Sequence, residues 1–184
     1  MKKNKFIILS LCALGAAAIG FTACGKDNVS DYIKDMKSSA DRAVTVYAEI
    51  KLLDRGSTVY SFTRRMDIDT SSHRASITDV KTTLAEDFGD TTTTSTSTVE
   101  NVTGETLIGL KLTKKLVSEY NISDGDLTCT VPNKKISEVL TKPVSASSDM
   151  TVFIDFENGN LTKAEYSYTN TSQRTVSVTV TYGY

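Results

Sequence analysis

The chain has 184 residues, 21 of them basic and 22 acidic, for a formal net charge of −1, and 8% are aromatic. That length suits one core-forming domain, and the charge balance gives no electrostatic reason to seek nucleic acid. One histidine and three cysteines leave few soft ligands for a metal.

Taken in chain order, Lys2, Lys3 and Lys5 precede FIILSLCALGAAAIGFTA, an uncharged run from 6 to 23 that ends with the small Ala23 against Cys24. Basic, then apolar, then small is the order of a secretory signal. The segment FTAC resembles the bacterial lipobox, in which the cysteine receives diacylglycerol before cleavage. The resemblance implies a signal peptide over 1–23, a lipidated tether over 24–29, and Cys24 as the lipid-attachment residue. An ordinary signal peptide and an uncleaved anchor are the other two readings, and all three put the folded part outside the cytoplasm. The expected location is the outer face of the cell membrane, with the membrane as partner through N-terminal acyl chains, since two chains give stable anchoring.

Cleavage before Cys24 removes three lysines and no acid, which leaves 18 basic residues against 22 acidic, a net charge of −4. It also removes Cys12, and acylation occupies Cys24, so Cys129 is left without a disulfide partner. Gly25 to Val29 spans at most about 17 Å, which keeps the domain at the membrane surface.

Ser30 then stands as a helix cap before DYIKDMKSSADR, where Val29, Ile33, Met36 and Ala40 recur at spacings of three and four and make one apolar stripe. From 43 the period becomes two. AVTVYAEIKLL, TVYSFTRRMDI and ASITDVKTTLAE read as strands separated by the turns DRGS and DTSSHR. Arg64 interrupts the second strand's apolar face of Tyr60, Phe62, Met66 and Ile68. DFGD reads as a hairpin turn, TTTTSTSTV as a polar strand, and TLIGLKL at 106–112 as a fifth strand. Helical patches are predicted at 113–120 and 134–140, with the strand DLTCTV between them. A meander of MTVFIDFE, LTKAEYSYT and RTVSVTVTYGY follows, its turns marked by NGN and NTSQ.

These elements predict an α+β domain over 30–184. It would be a curled antiparallel sheet, an incomplete barrel of about nine strands, with a leading helix and two short inserted helices on its concave side.

Residues that could carry chemistry are scarce. His73 lies in a polar turn with no nucleophile motif to serve, and Cys129, between two threonines of a strand, reads as a buried inert thiol. DFG at 87–89 lacks the other parts of a kinase, and NISDGDL lacks the spacing of a calcium loop and reads as a plain turn. No catalytic residue, metal site or cofactor is expected, and the protein reads as a non-enzyme.

The lipobox, the leading helix, the curled sheet, the inserted helices and the final meander ending VSVTVTYGY together resemble the LolA/LolB/LppX-like lipoprotein carrier fold. The resemblance covers about residues 30–184 and rests on element order. It implies an apolar cavity for acyl chains under a helical lid. The candidate ligand-cavity residues are Tyr60, Phe62, Met66, Ile154, Phe156, Tyr166, Tyr168, Val178 and Val180 on the predicted apolar strand faces, with Tyr120 from the covering helices, which also carry Leu116, Val117, Ile136, Val139 and Leu140. Two functions stay open. One is a membrane-anchored carrier or binder of a lipid or amphiphile; the other is a non-enzymatic cell-surface interaction module whose same apolar residues fill a solid core.

Overall fold

The computed structural model describes residues 29–84 and 89–184. The expected signal segment, Cys24 and the expected tether, and Asp87 and Phe88 of the DFG turn lie outside these residues.

The chain folds as α1 (Val29–Ala40), β1 (Thr45–Asp54), β2 (Ser57–Asp69), β3 (Arg74–Thr83), β4 (Thr91–Val99), α2 (Gly104–Ile108), β5 (Glu119–Ser123), β6 (Asp126–Val131), α3 (Ile136–Val139), β7 (Met150–Glu157), β8 (Asn160–Thr169) and β9 (Thr175–Gly183). All nine strands belong to one antiparallel sheet in the order β4-β3-β2-β1-β9-β8-β7-β6-β5, which is not closed. The chain thus works outward from the centre to one edge, crosses to the opposite edge through α2, and returns strand by strand until β9 pairs with β1.

Period two decides which face of this sheet is apolar. Val46, Ala48, Ile50 and Leu52 of β1 pair with Tyr182, Val180, Val178 and Val176 of β9. The same row positions continue through Ala164 and Tyr166 of β8, Val152 and Ile154 of β7, and Leu127 and Cys129 of β6. The opposite face is carried by residues such as Glu49, Lys51, Thr179, Thr181, Lys163 and Glu165, and lies toward water as expected for a sheet with one wet side.

Helix α1 buries Val29, Tyr32, Ile33, Met36, Ser39 and Ala40, and these apolar side chains join one continuous buried cluster with the strand residues. The Tyr32 hydroxyl donates to the carbonyls of Gly125 (2.9 Å) and Ile154 (3.1 Å), tying the helix to the β5–β6 turn and to the middle of β7. Its ring meets Phe156 edge-on, with centroids 5.4 Å apart. Where α1 crosses α2 the backbones touch: a Cβ on Gly104 would collide with the Lys37 carbonyl oxygen, and the Gly104 N–H donates to the Asp41 carboxylate.

Three expectations are corrected. TLIGLKL is not a strand. Thr103 and Thr106 form a reciprocal capping box, and Gly109 takes the left-handed conformation that ends a helix, so Gly104–Ile108 closes into α2. TKKLVSEY is not a helix, because the Ser118 N–H donates to the Thr130 carbonyl and the chain runs straight into β5. The hairpin that follows needs positive φ at two successive positions, which Asp124 (55°) and Gly125 (97°) supply. Strand β4 is the polar strand that the Thr/Ser run predicts, with all of its residues exposed. The described α1 starts at Val29, so Ser30 sits within its first turn.

Candidate functional site

The candidate cavity residues fall into three groups. Ile154, Val178, Val180 and Tyr168 belong to the packed core, and Met66, Phe156 and Tyr166 are half-buried against it. Tyr60 and Phe62 are half-buried outside that cluster, as is their cross-strand neighbour Leu52. Tyr120 stands apart: β5 is an edge strand, and Tyr120, opposite Cys129, is exposed. Of the predicted covering residues, Leu116, Ile136, Val139 and Leu140 are buried in the core and Val117 is half-buried.

The apolar face therefore has two parts. Over β6, β7, β8 and the adjoining end of β9, side chains from α1, α2 and α3 complete a core in which Leu127, Val131, Met150, Val152 and Leu161 are fully buried. Over β1 and β2, Ile50, Leu52, Tyr60 and Phe62 form a contiguous apolar stripe that keeps part of its surface open. Two cross-strand rows make up the stripe, Ile50–Phe62 and Leu52–Tyr60. They continue on the β9 side into Val178–Tyr166 and Val176–Tyr168.

Charged groups frame the stripe. Arg64 and Asp79, opposed on β2 and β3, make a two-pronged pair at 2.8 Å for both contacts. Hydrogen bonding to Arg64 holds the Asp79 carboxyl below the usual carboxylate range, against an opposing effect of burial. The Arg64 guanidinium also lies 5.6 Å from the Phe62 ring centre. One row further, the Lys81 ammonium lies 5.7 Å from the Tyr60 ring centre.

Tyrosine hydroxyls supply the other polar groups of this face. Burial pushes Tyr166 up to about 12. Tyr182 is 7% exposed, and its buried hydroxyl has no hydrogen-bond partner among the described residues; desolvation raises its pKa as well. Sequence reasoning saw the alternation but missed that Arg64 and Asp79 meet and that Lys81 stands at the stripe's border. The signal was present in the facing strands FTRR and TDVK, once their register was known.

A concavity of about 480 Å³ lies away from the stripe, at the β2–β3 turn, and is lined by Asp67, Asp69, Ser72, Arg74 and Thr98 among others. It is polar, and its acids have local duties. Asp69 accepts from the hydroxyls of Ser71 and Ser72, which holds it at about 2. Asp67 is paired with Arg65 at 2.9 Å. His73 belongs to the same turn, exposed, at a φ of 53°. Among the described residues no group of His, Cys, Asp and Glu could hold a metal ion, and no helix is long and apolar enough to cross a membrane.

Compared with models of known protein families the chain matches none, and no curated protein sequence matches it.

Proposed function

We propose that this protein is a lipid-anchored extracytoplasmic binder of a lipid or other amphiphile, with no enzymatic activity, held at the membrane by acyl chains on Cys24. In this reading the sheet curls into an incomplete barrel with its helices on the concave side. The ligand's apolar part lies along the stripe the helices leave open. One observation carries the proposal: Leu52, Tyr60 and Phe62 are aligned on the same face as the core yet outside the core cluster. Large apolar side chains in that position lose surface to water only when something covers them. Each ligand methylene placed there contributes about 0.8 kcal/mol before ordering costs.

The test is mass spectrometry of organic extracts from purified residues 25–184, which lack the protein's own acyl anchor. Co-purified lipid is expected from the wild type and depleted from Phe62→Glu, a substitution outside the core that should leave the fold intact. A folded wild type that yields no lipid and binds no fluorescent fatty-acid probe ends this reading.

One feature favours the second reading, a surface interaction module. Strand β4 is a nine-residue edge with every residue exposed and no charge or proline along it, and such an edge offers unpaired backbone groups to an incoming strand. A lipid-free domain that captures an extended peptide along β4 would favour it.

A further inference from the structure

We propose that Lys81 recognises the carboxylate of a single-chain anionic amphiphile whose tail lies along the Phe62–Ile50–Val178 row; this rests on the amphiphile-binding reading above. The strand register places Lys81, Phe62, Ile50, Val178 and Tyr166 in one line across β3, β2, β1, β9 and β8. Four inter-strand steps carry that line about 19 Å. It starts at an exposed cation, passes over the half-buried Phe62 and Ile50, and meets the buried Val178 and the half-buried Tyr166 ring where the covered part of the face begins. Charge first and apolar surface after is the order of functional groups in a fatty acid.

The charges specify the headgroup. Arg64 is already neutralised by Asp79, and Arg174 is 3.4 Å from Asp54 at the other end of the stripe. Lys81 has no carboxylate partner among the described residues, and its ammonium lies over the Tyr60 ring. Among the described residues of this part of the face the uncompensated charge is therefore positive, and it stands beside the hydroxyl-bearing Thr93, its partner on β4. Width specifies the tail. Only two residue rows, about 7 Å apart, lie between the two ion pairs, which is room for one chain.

The experiment uses the full-length lipidated chain in phosphatidylcholine nanodiscs. A long-chain fatty acid carrying a diazirine in its tail, or the matching fatty alcohol, is photolysed with it, and adducts on β1, β2 and β8 are quantified by mass spectrometry. Lys81 is exposed, so its replacement should not disturb folding. The expected result is about two- to fivefold fewer fatty-acid adducts in Lys81→Gln than in the wild type, as suits an exposed ion pair. Alcohol adducts should be unchanged, and labelling by the acid should be retained in Lys81→Arg. Equal acid labelling of wild type and Lys81→Gln, with both probes still marking these strands, overturns the carboxylate contact while leaving the amphiphile reading standing. No adduct on these strands from either probe overturns both.

Discussion

The hydroxyls of Ser39, in the leading helix, and Tyr184, just beyond the central strand β9, lie 2.7 Å apart. Both close on the same residue of β8. Ser39 accepts from the Leu161 N–H at 2.8 Å, and Tyr184 donates to the Leu161 carbonyl at 2.9 Å. A buried serine thereby fastens the helix to the sheet and satisfies a strand N–H that has no water to turn to.

Replacing Ser39 with alanine strands that buried N–H. The expected loss is about 1–3 kcal/mol in urea unfolding, with an unchanged denaturant slope. Ser38→Ala, on the exposed side of the same helix, should cost under about 0.5 kcal/mol. Equal losses from the two would mean that the Ser39 contacts contribute nothing to stability.

The facing of β9 makes a second pair of variants informative. Val178 is buried between Ile50 and Tyr166, whereas Ser177 lies on the wet face opposite Lys51. Val178→Asp buries a carboxylate among apolar groups and should cost about 3 kcal/mol or more. Ser177→Asp places the same charge beside an ammonium and should cost under about 1 kcal/mol. Matching melting temperatures for the two would show the register to be wrong.

Alkaline stability should report on Cys129. Burial raises its thiol from an ordinary 9.0 to about 11, so between those values the unfolded chain gives up the proton while the folded chain keeps it. The stabilisation this represents is complete below pH 9 and is lost as pH rises through 11. Cys129→Ala should start from a lower melting temperature because of its cavity, yet fall less steeply than the wild type across that window. In the native wild type at pH 8 a thiol reagent should react with Cys129 only as fast as the domain opens. Rapid stoichiometric labelling would contradict the buried position.

The proposed lipid anchor on Cys24 is tested in cells. Growth with a radiolabelled or clickable fatty acid should mark the wild type and leave Cys24→Ala unmarked, and the variant should be released from the membrane fraction. Equal labelling of both would remove Cys24 as the attachment residue.

Alternation was the most legible signal in this sequence. It located the strands of the first hairpins and of the closing meander, and it set Val178 and Tyr182 apart from Ser177 and Thr181 before any register was known. Segment 106–112 was misread because its apolar pattern also suits a strand; what decided it was the hydroxyl pair Thr103 and Thr106, a local cap that outweighs the pattern. Segment 113–120 was misread for the opposite reason. Its leucine and valine have helical spacing, but Ser118 is claimed by its hairpin neighbour β6, twelve residues on at Thr130, and that pairing outweighs the local pattern.

The candidate site was legible only in part, for a related reason. Period two places Tyr60 and Phe62 on an apolar face, but which part of that face the helices cover depends on where α1 lands, and that is fixed by Tyr32 reaching Gly125 and Ile154. Tyr120 entered the candidate set as a helical residue and left the apolar interior once its segment became an edge strand.

The pairing of β1 with β9 also has a consequence for biogenesis. Every other strand pair joins neighbours in sequence, so two hairpin-built meanders can assemble independently. The seam between them, from Thr45 opposite Gly183 to Leu53 opposite Thr175, cannot close until β9 has been delivered. Until then β1 presents an apolar, unpaired edge. Closing so long a loop is the slow, high-contact-order step. Substitutions at the seam should therefore retard refolding, while substitutions in the β3–β4 hairpin should mainly hasten unfolding. If the chain is anchored as proposed, that exposed edge would spend the delay within reach of the bilayer.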